Sequence, residues 1–190
     1  MGGAIALLPD GAGNITPNAE FNFWIDPEAA RVTLRSDIPI DLSPLNVSRK
    51  SALTKDWYEK MVATDTPLTQ LLKDTMGHRF AADPDRKWLM YDKIAVASII
   101  DPTLVTTERL FVDVNIDHGI SYGVSVGGRA IWPGAEGAQL LLIVNDQAPI
   151  ADGMGTWSIE CIPLCQVDPG AQNRFWLQGG EVACPGRTAV

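Results

Sequence analysis

The first eight residues, MGGAIALL (Met1–Leu8), form an apolar run of strand length. Loop chemistry follows at once in Pro9-Asp10-Gly11-Ala12-Gly13-Asn14. Asp26-Pro27-Glu28 then marks a helix start, with Asp26 as N-cap, Pro27 at the first helical position and Glu28 near the positive end of the dipole. This helix is expected to run to about Ser36, and Asp37–Leu42 reads as the next short strand. Strand, helix, strand is an α/β signature. In a mainly parallel sheet such apolar strands lie inside, covered on both faces. A first strand with no partner upstream would leave a raw apolar edge, so the chain reads as the second half of a domain.

Further helix starts recur downstream. Thr54 caps a segment through Met61-Val62, and Thr66-Pro67 opens one carrying Leu68, Leu71, Leu72 and Met76 at helical spacing. The segment from Gly77 to Arg86 reads as a loop. Asp92 precedes Lys93–Ile100, apolar nearly all round and expected to be a buried helix that stops before Asp101-Pro102. Leu110–Ile116 alternates like a strand, and Ser121–Val126 reads as its hairpin partner.

Beyond about residue 137 the composition changes. No lysine follows Lys93, helical periodicity fades, and Cys161, Cys165 and Cys184 all fall in this tail. The expected division is 1–137 as the α/β part and 138–190 as a divergent tail, a candidate for poor order. Three cysteines without a secretory signal point to free thiols. A zinc site lacks a fourth ligand, since His78 and His118 lie far upstream.

A net charge of -8 argues against nucleic acid, because no basic surplus exists to neutralise phosphates. No apolar run approaches the roughly 20 residues of a membrane span, so no membrane partner is expected and the cytoplasm is the default location. No Walker loop, dinucleotide fingerprint or nucleophile elbow occurs.

Two places carry candidate chemistry. In GNITPNAEFNFWIDPEAA (residues 13–30), Glu20 and Asn22 lie two apart and share a face if the segment is extended, with Phe21 and Phe23 on the other. A carboxylate beside an amide can hold vicinal hydroxyls, since Glu accepts while Asn donates and accepts. The bland reading, turn and solvated residues, stays open beside it. Asp92 is the second place. Its helix position favours an N-cap over a metal ligand, and one carboxylate cannot hold a hard cation.

Together these residues resemble the inosine-uridine preferring nucleoside hydrolases. The resemblance rests on Met1-Gly2-Gly3-Ala4, Gly13-Asn14-Ile15-Thr16-Pro17, Ala19-Glu20-Phe21-Asn22 and Asp26-Pro27-Glu28-Ala29-Ala30, in that order. Pro39–Val47 (PIDLSPLNV) follows, with Asn46 where the family usually has Asp, then Tyr91–Ala97 and the hairpin Phe111–Val114 with Gly123–Val126. It covers about residues 1–137, the C-terminal part of the family domain. It implies a Rossmann-like, mainly parallel sheet flanked by helices, with an added β-hairpin.

The activity implied is cleavage of the N-glycosidic bond of a ribonucleoside to ribose and base, with a bound Ca²⁺ that positions a water and an Asp that takes its proton. Carried over by motif, Met1, Asn14, Glu20 and Asn22 would contact the ribose, Asp92 would be one calcium ligand, and Tyr91 would stand by the leaving base, where many members have His. An aromatic there weakly suggests a purine preference. Homo-oligomers are common in the family. The family's Asp-rich calcium and base segment is absent here, and the chain after Leu140 departs from the family's C-terminal helix. The expectation is a truncated hydrolase, weakly active or inactive. The alternatives are a non-catalytic nucleoside or ribose-binding module and one half of a hetero-oligomeric enzyme.

Overall fold

A computed structural model describes residues 1–147 and three short strand segments, 166–167, 175–177 and 180–181. Contacts divide the chain into two compact units, Met1–Ala148 and Pro149–Val190. In the second, β7 (Gln166–Val167), β8 (Phe175–Leu177) and β9 (Gly180–Glu181) pair antiparallel in that order. The three cysteines, and with them the zinc reading, lie outside the described residues.

The first unit is α/β. Its helices are α1 (Phe21–Ile25), α2 (Pro27–Leu34), α3 (Leu45–Ser48), α4 (Lys55–Met61), α5 (Pro67–Ala82) and α6 (Tyr91–Ile100). Its strands are β1 (Asp41–Leu42), β2 (Ala52–Leu53), β3 (Trp88–Leu89), β4 (Val105–Val114), β5 (Ser125–Gly128) and β6 (Leu140–Gln147). The main sheet has the order β1-β6-β4-β5. Among the described residues its parallel pairing is β1 with β6, while β4 runs antiparallel to both β6 and β5. The expected hairpin forms as β4–β5, in register at Asp113 opposite Val126, but its second strand is Ser125–Gly128 and residues 121–123, expected in that strand, lie in the turn.

The expected strand at Met1–Leu8 does not form. Gly2–Ile5 is buried, yet its N–H groups find few backbone partners: Gly3 donates to Glu20 Oε2 at 2.9 Å, Ala4 to Ser125 Oγ at 2.8 Å and Ile5 to Asn46 Oδ1 at 2.9 Å. Gly3 sits at φ +76°, a left-handed conformation that breaks any pleat, and a Cβ there would lie 3.0 Å from both Phe23 and Ser125. Ile5 and Leu8 nevertheless join the core with Leu34, Leu42, Leu110, Val112, Val114, Leu141 and Ile143. The apolar run was legible; its pairing was not.

Helix ends follow the sequence closely. Asp26 Oδ1 accepts from Ala29 N with Pro27 behind it, and Thr54 accepts from Trp57 N. Thr66 and Thr69 form a reciprocal capping box. Two readings need correction. α5 runs through Gly77 to Ala82, so the expected loop from Gly77 and the position of His78 are helical. A glycine costs about 1 kcal/mol in a helix but does not end it; the real stop is Asp83-Pro84, since Pro disfavours helical backbone in the residue before it. α6 is not buried all round: Ile94 and Ala97 are covered, whereas Val96 and Ile99 are 55% and 61% exposed. Among the described residues α6 packs chiefly on α3 and the 3-10 turn Pro102–Leu104, which cover one side only.

One polar contact ties α2 to the sheet. Arg31 and Arg35, one turn apart, both reach Asp113 of β4, which is 6% exposed. Arg35 approaches with Nε and Nη2, and this hydrogen bonding holds its guanidinium above the ordinary value. Removing the carboxylate strands two cations against a buried position. Asp113→Ala is expected to cost about 2 kcal/mol, below the roughly 3–5 kcal/mol of a fully buried pair because the arginines are partly solvated. Urea unfolding of wild type and variant measures this as a lower midpoint at unchanged slope. An unchanged midpoint would show that the pair contributes nothing.

Candidate functional site

The candidate edge is built by a loop that folds onto the start of α1. Gly13 N donates to Pro17 O at 2.8 Å and Asn14 N to Ala19 O at 3.1 Å, while Thr16 Oγ1 accepts from Ala19 N at 2.9 Å. This closed turn aims Asn14 back at α1, where its Oδ1 accepts from Phe21 N at 2.9 Å. Glu20 is the N-cap of that helix. Its Oε1 accepts from Asn22 N at 2.9 Å and its Oε2 from Phe23 N at 3.3 Å. The first three N–H groups of α1, which have no partner within a helix, are thus taken by Asn14 and Glu20.

The extended reading of residues 20–23 is therefore replaced by a cap and a helical turn. Proximity survives for a different reason: Glu20 and Asn22 meet because one caps the turn in which the other sits. Asn22 Nδ2 donates towards Met1, 3.3 Å from its carbonyl and 3.4 Å from Sδ. Met1, Asn14, Glu20 and Asn22 are brought to one place.

Their roles within it differ. Glu20 is 2% exposed and its carboxylate takes three backbone N–H groups, from Gly3, Asn22 and Phe23. A carboxylate has about four acceptor sites, which leaves roughly one. Asn14 and Asn22 are exposed. Among the described residues nothing takes Asn14 Nδ2 or Asn22 Oδ1. One free amide donor and one free amide acceptor over a carboxylate floor suit a hydroxyl-bearing ligand.

Tyr91 and Asp92 belong to a different element, α6. Both are exposed in the first turn of α6. The N-cap there is Met90, which makes no side-chain capping bond, so Asp92 is not the cap that the sequence favoured. No hydrogen bond or ion pair among the described residues joins Tyr91 or Asp92 to Met1, Asn14, Glu20 or Asn22. Among the described residues no three His, Cys, Asp or Glu side chains cluster as a metal site. One carboxylate falls far short of the six to eight oxygens that calcium takes, so the donors present do not fit a complete Ca²⁺ site. His118 stacks on Tyr122 at 4.8 Å in the hairpin loop, as a turn residue would.

Three supporting residues escaped the sequence reading of the site: Asn46, Arg49 and Ser125. Asn46 was noted only as a departure from the Asp usual in the family's PIDLSPLNV-type segment, with no role at the site. It is fully buried.

The family model described as inosine-uridine preferring nucleoside hydrolase matches residues 1–151. The pyrimidine-specific ribonucleoside hydrolase RihB of Escherichia coli is 32% identical over 130 residues, 66% of this chain and 40% of that protein. The chain thus spans about two fifths of the length of the curated relatives it matches. Among solved structures, a plant nucleoside hydrolase, the PpNRh1 enzyme, superposes with a TM-score of 0.63 at 24% identity, over 79% of this chain and 48% of that one. A purine-preferring ribonucleoside hydrolase from Gardnerella vaginalis gives a TM-score of 0.55 at 25% identity, over 78% and 45%.

The division of roles is testable. Glu20→Gln turns an amide donor towards backbone donors and is expected to cost about 2 kcal/mol, whereas Asn22→Ala at the exposed position is expected to stay within about 0.5 kcal/mol. Chemical denaturation of both variants checks this. Equal costs for the two would refute the floor role of Glu20.

Proposed function

The chain belongs to the inosine-uridine preferring nucleoside hydrolase family, and we propose that it holds the ribose of a ribonucleoside along the edge made by Met1, Asn14, Glu20 and Asn22. The observation that carries this reading is the convergence of those four residues at the start of α1, with Asn14 and Asn22 exposed and each keeping one hydrogen-bonding atom unused among the described residues. A ribose hydroxyl donates and accepts, and so pairs with Asn22 Oδ1 and Asn14 Nδ2 together. Glu20 supports them from beneath. Tyr91, which is 37% exposed at the start of α6, is proposed to meet the base by stacking.

Relatives named as pyrimidine-specific and purine-preferring both resemble the chain, so the proposal covers ribonucleosides as a class. Hydrolysis adds the oxygen of water to the anomeric carbon, breaks the N-glycosidic bond and leaves the base with the proton. Asp92 is the residue proposed to face a family-type Ca²⁺, but alone it does not make up that site. The chain by itself is therefore proposed to bind ribose without turnover.

A second reading, one half of a two-chain enzyme, is favoured by α6. Val96 and Ile99 are exposed on the helix that carries Asp92, and a covering chain would bury them while adding carboxylates.

Calorimetry with D-ribose and ribose-release assays with inosine, uridine and adenosine in Ca²⁺ test the proposal. The expected outcome is heat of binding at millimolar ribose with no appreciable ribose released. Absence of heat would overturn the ribose edge, and rapid release would overturn the non-catalytic reading.

A further inference from the structure

The loop that carries Asn14 does not hold its shape alone. Residues 5–13 turn back on themselves over α3, and several of their carbonyls point at that helix. Asn46, fully buried on α3, meets three of the backbone groups: Oδ1 accepts from Ile5 N at 2.9 Å, while Nδ2 donates to Ile5 O at 3.0 Å and to Pro9 O at 2.7 Å. Arg49, at the C-cap of α3, takes three more: Nη1 donates to Asp10 O and Ala12 O at 2.6 Å each, and Nη2 to Gly13 O at 2.8 Å. Five carbonyls and one N–H thus end on two side chains of one short element.

The family pattern usually has Asp at position 46, so the demand for an amide belongs to this chain's own loop, whose Ile5 and Pro9 carbonyls both face the side chain. An N–H must face an acceptor and two carbonyls must face donors, which fixes the orientation of the amide. Aspartate can accept from Ile5 N, but when ionised it sets an oxygen against both carbonyls. A buried carboxylate in that position is driven towards its protonated form, which regains one donor.

We propose that Asn46 and Arg49 are positioning residues for the sugar-recognition edge, acting through the loop they brace rather than by touching a ligand. The inference rests on the ribose reading given above. The chain of contact is short on both sides. From Ile5 it runs through Ala4 and Gly3 to Glu20 and Asn22; from Gly13 it runs directly to Asn14. Losing either brace frees the loop, and Asn14 and Met1 then lose their registration on α1. Lysine does not replace Arg49, because a single ammonium lacks the planar fork that spans three carbonyls.

Asn46→Asp and Arg49→Ala in the full chain test this by amide hydrogen exchange, with ribose calorimetry on the same samples. In Asn46→Asp at pH 7.5, protection factors of Ile5, Asn14 and Phe21 are expected to fall at least tenfold, while those of Leu110 and Val112 in β4 hold. Ribose affinity is expected to weaken at least fivefold in parallel. At pH 5 both are expected to recover towards wild type, because the variant carboxyl, raised by burial, gains its proton as pH falls and stabilises the loop below that pKa. Arg49→Ala is expected to lose protection over residues 10–14 at both pH values. Unchanged protection of the loop in both variants would overturn the proposal, as would an Asn46→Asp defect with no pH dependence. Loss of loop protection in the variants together with a wild-type protein that binds no ribose would instead sink the ribose reading, leaving the brace established.

Discussion

Everything at the candidate edge depends on how three consecutive N–H groups are satisfied. Gly3, Ala4 and Ile5 are buried and lie outside any strand, so their donors need partners or cost about 1–3 kcal/mol each. Glu20, Ser125 and Asn46 supply them from the α1 cap, the β5 hairpin and α3. Three remote segments are thereby fixed around one peptide stretch. Ser125 is committed on both sides, because its hydroxyl also donates to Ala4 O at 2.9 Å. The result is a rigid floor under Met1, Asn14 and Asn22.

This arrangement also explains why the polar residues of one motif divide by role. Glu20 and Asn46 are buried because their charge or amide is consumed by backbone. Asn14 and Asn22 each commit one amide atom, to Phe21 N and to Met1, and keep the other unused among the described residues. A site made in this way is preorganised: the atoms that would meet a hydroxyl are already held by structure. The Arg31–Arg35–Asp113 contact performs the same service at a distance, keeping α2, which follows α1 directly, against β4.

How much of this was legible in the sequence follows from the range of the interactions. Asp26-Pro27, Thr54 and Thr66-Pro67 act within four residues, and each helix start was read correctly. The hairpin is local too, and it was found, although its second strand starts four residues later than read. Misreadings came from longer range. Whether Met1–Leu8 pairs as a strand depends on Glu20, Asn46 and Ser125, up to 121 residues away. Whether α6 is covered depends on what packs beside it, which apolar content does not reveal. Asn14, Glu20 and Asn22 were identified as a group by motif and spacing, yet the cap geometry that joins them, and the commitment of Glu20 to the backbone, required the tertiary structure. Arg49 was invisible, because a lone arginine in a polar stretch carries no local signal of the carbonyls it will meet.

The central claim is that Asn14 and Asn22 present free amide atoms to a sugar. The most direct measurement is an NMR titration of the full chain with D-ribose, following the side-chain amide resonances of the asparagines. Saturable shifts in Asn14 and Asn22, with Asn46 nearly still because its amide is consumed by the loop, is the result this account predicts. Flat Asn14 and Asn22 signals at tens of millimolar ribose would contradict it.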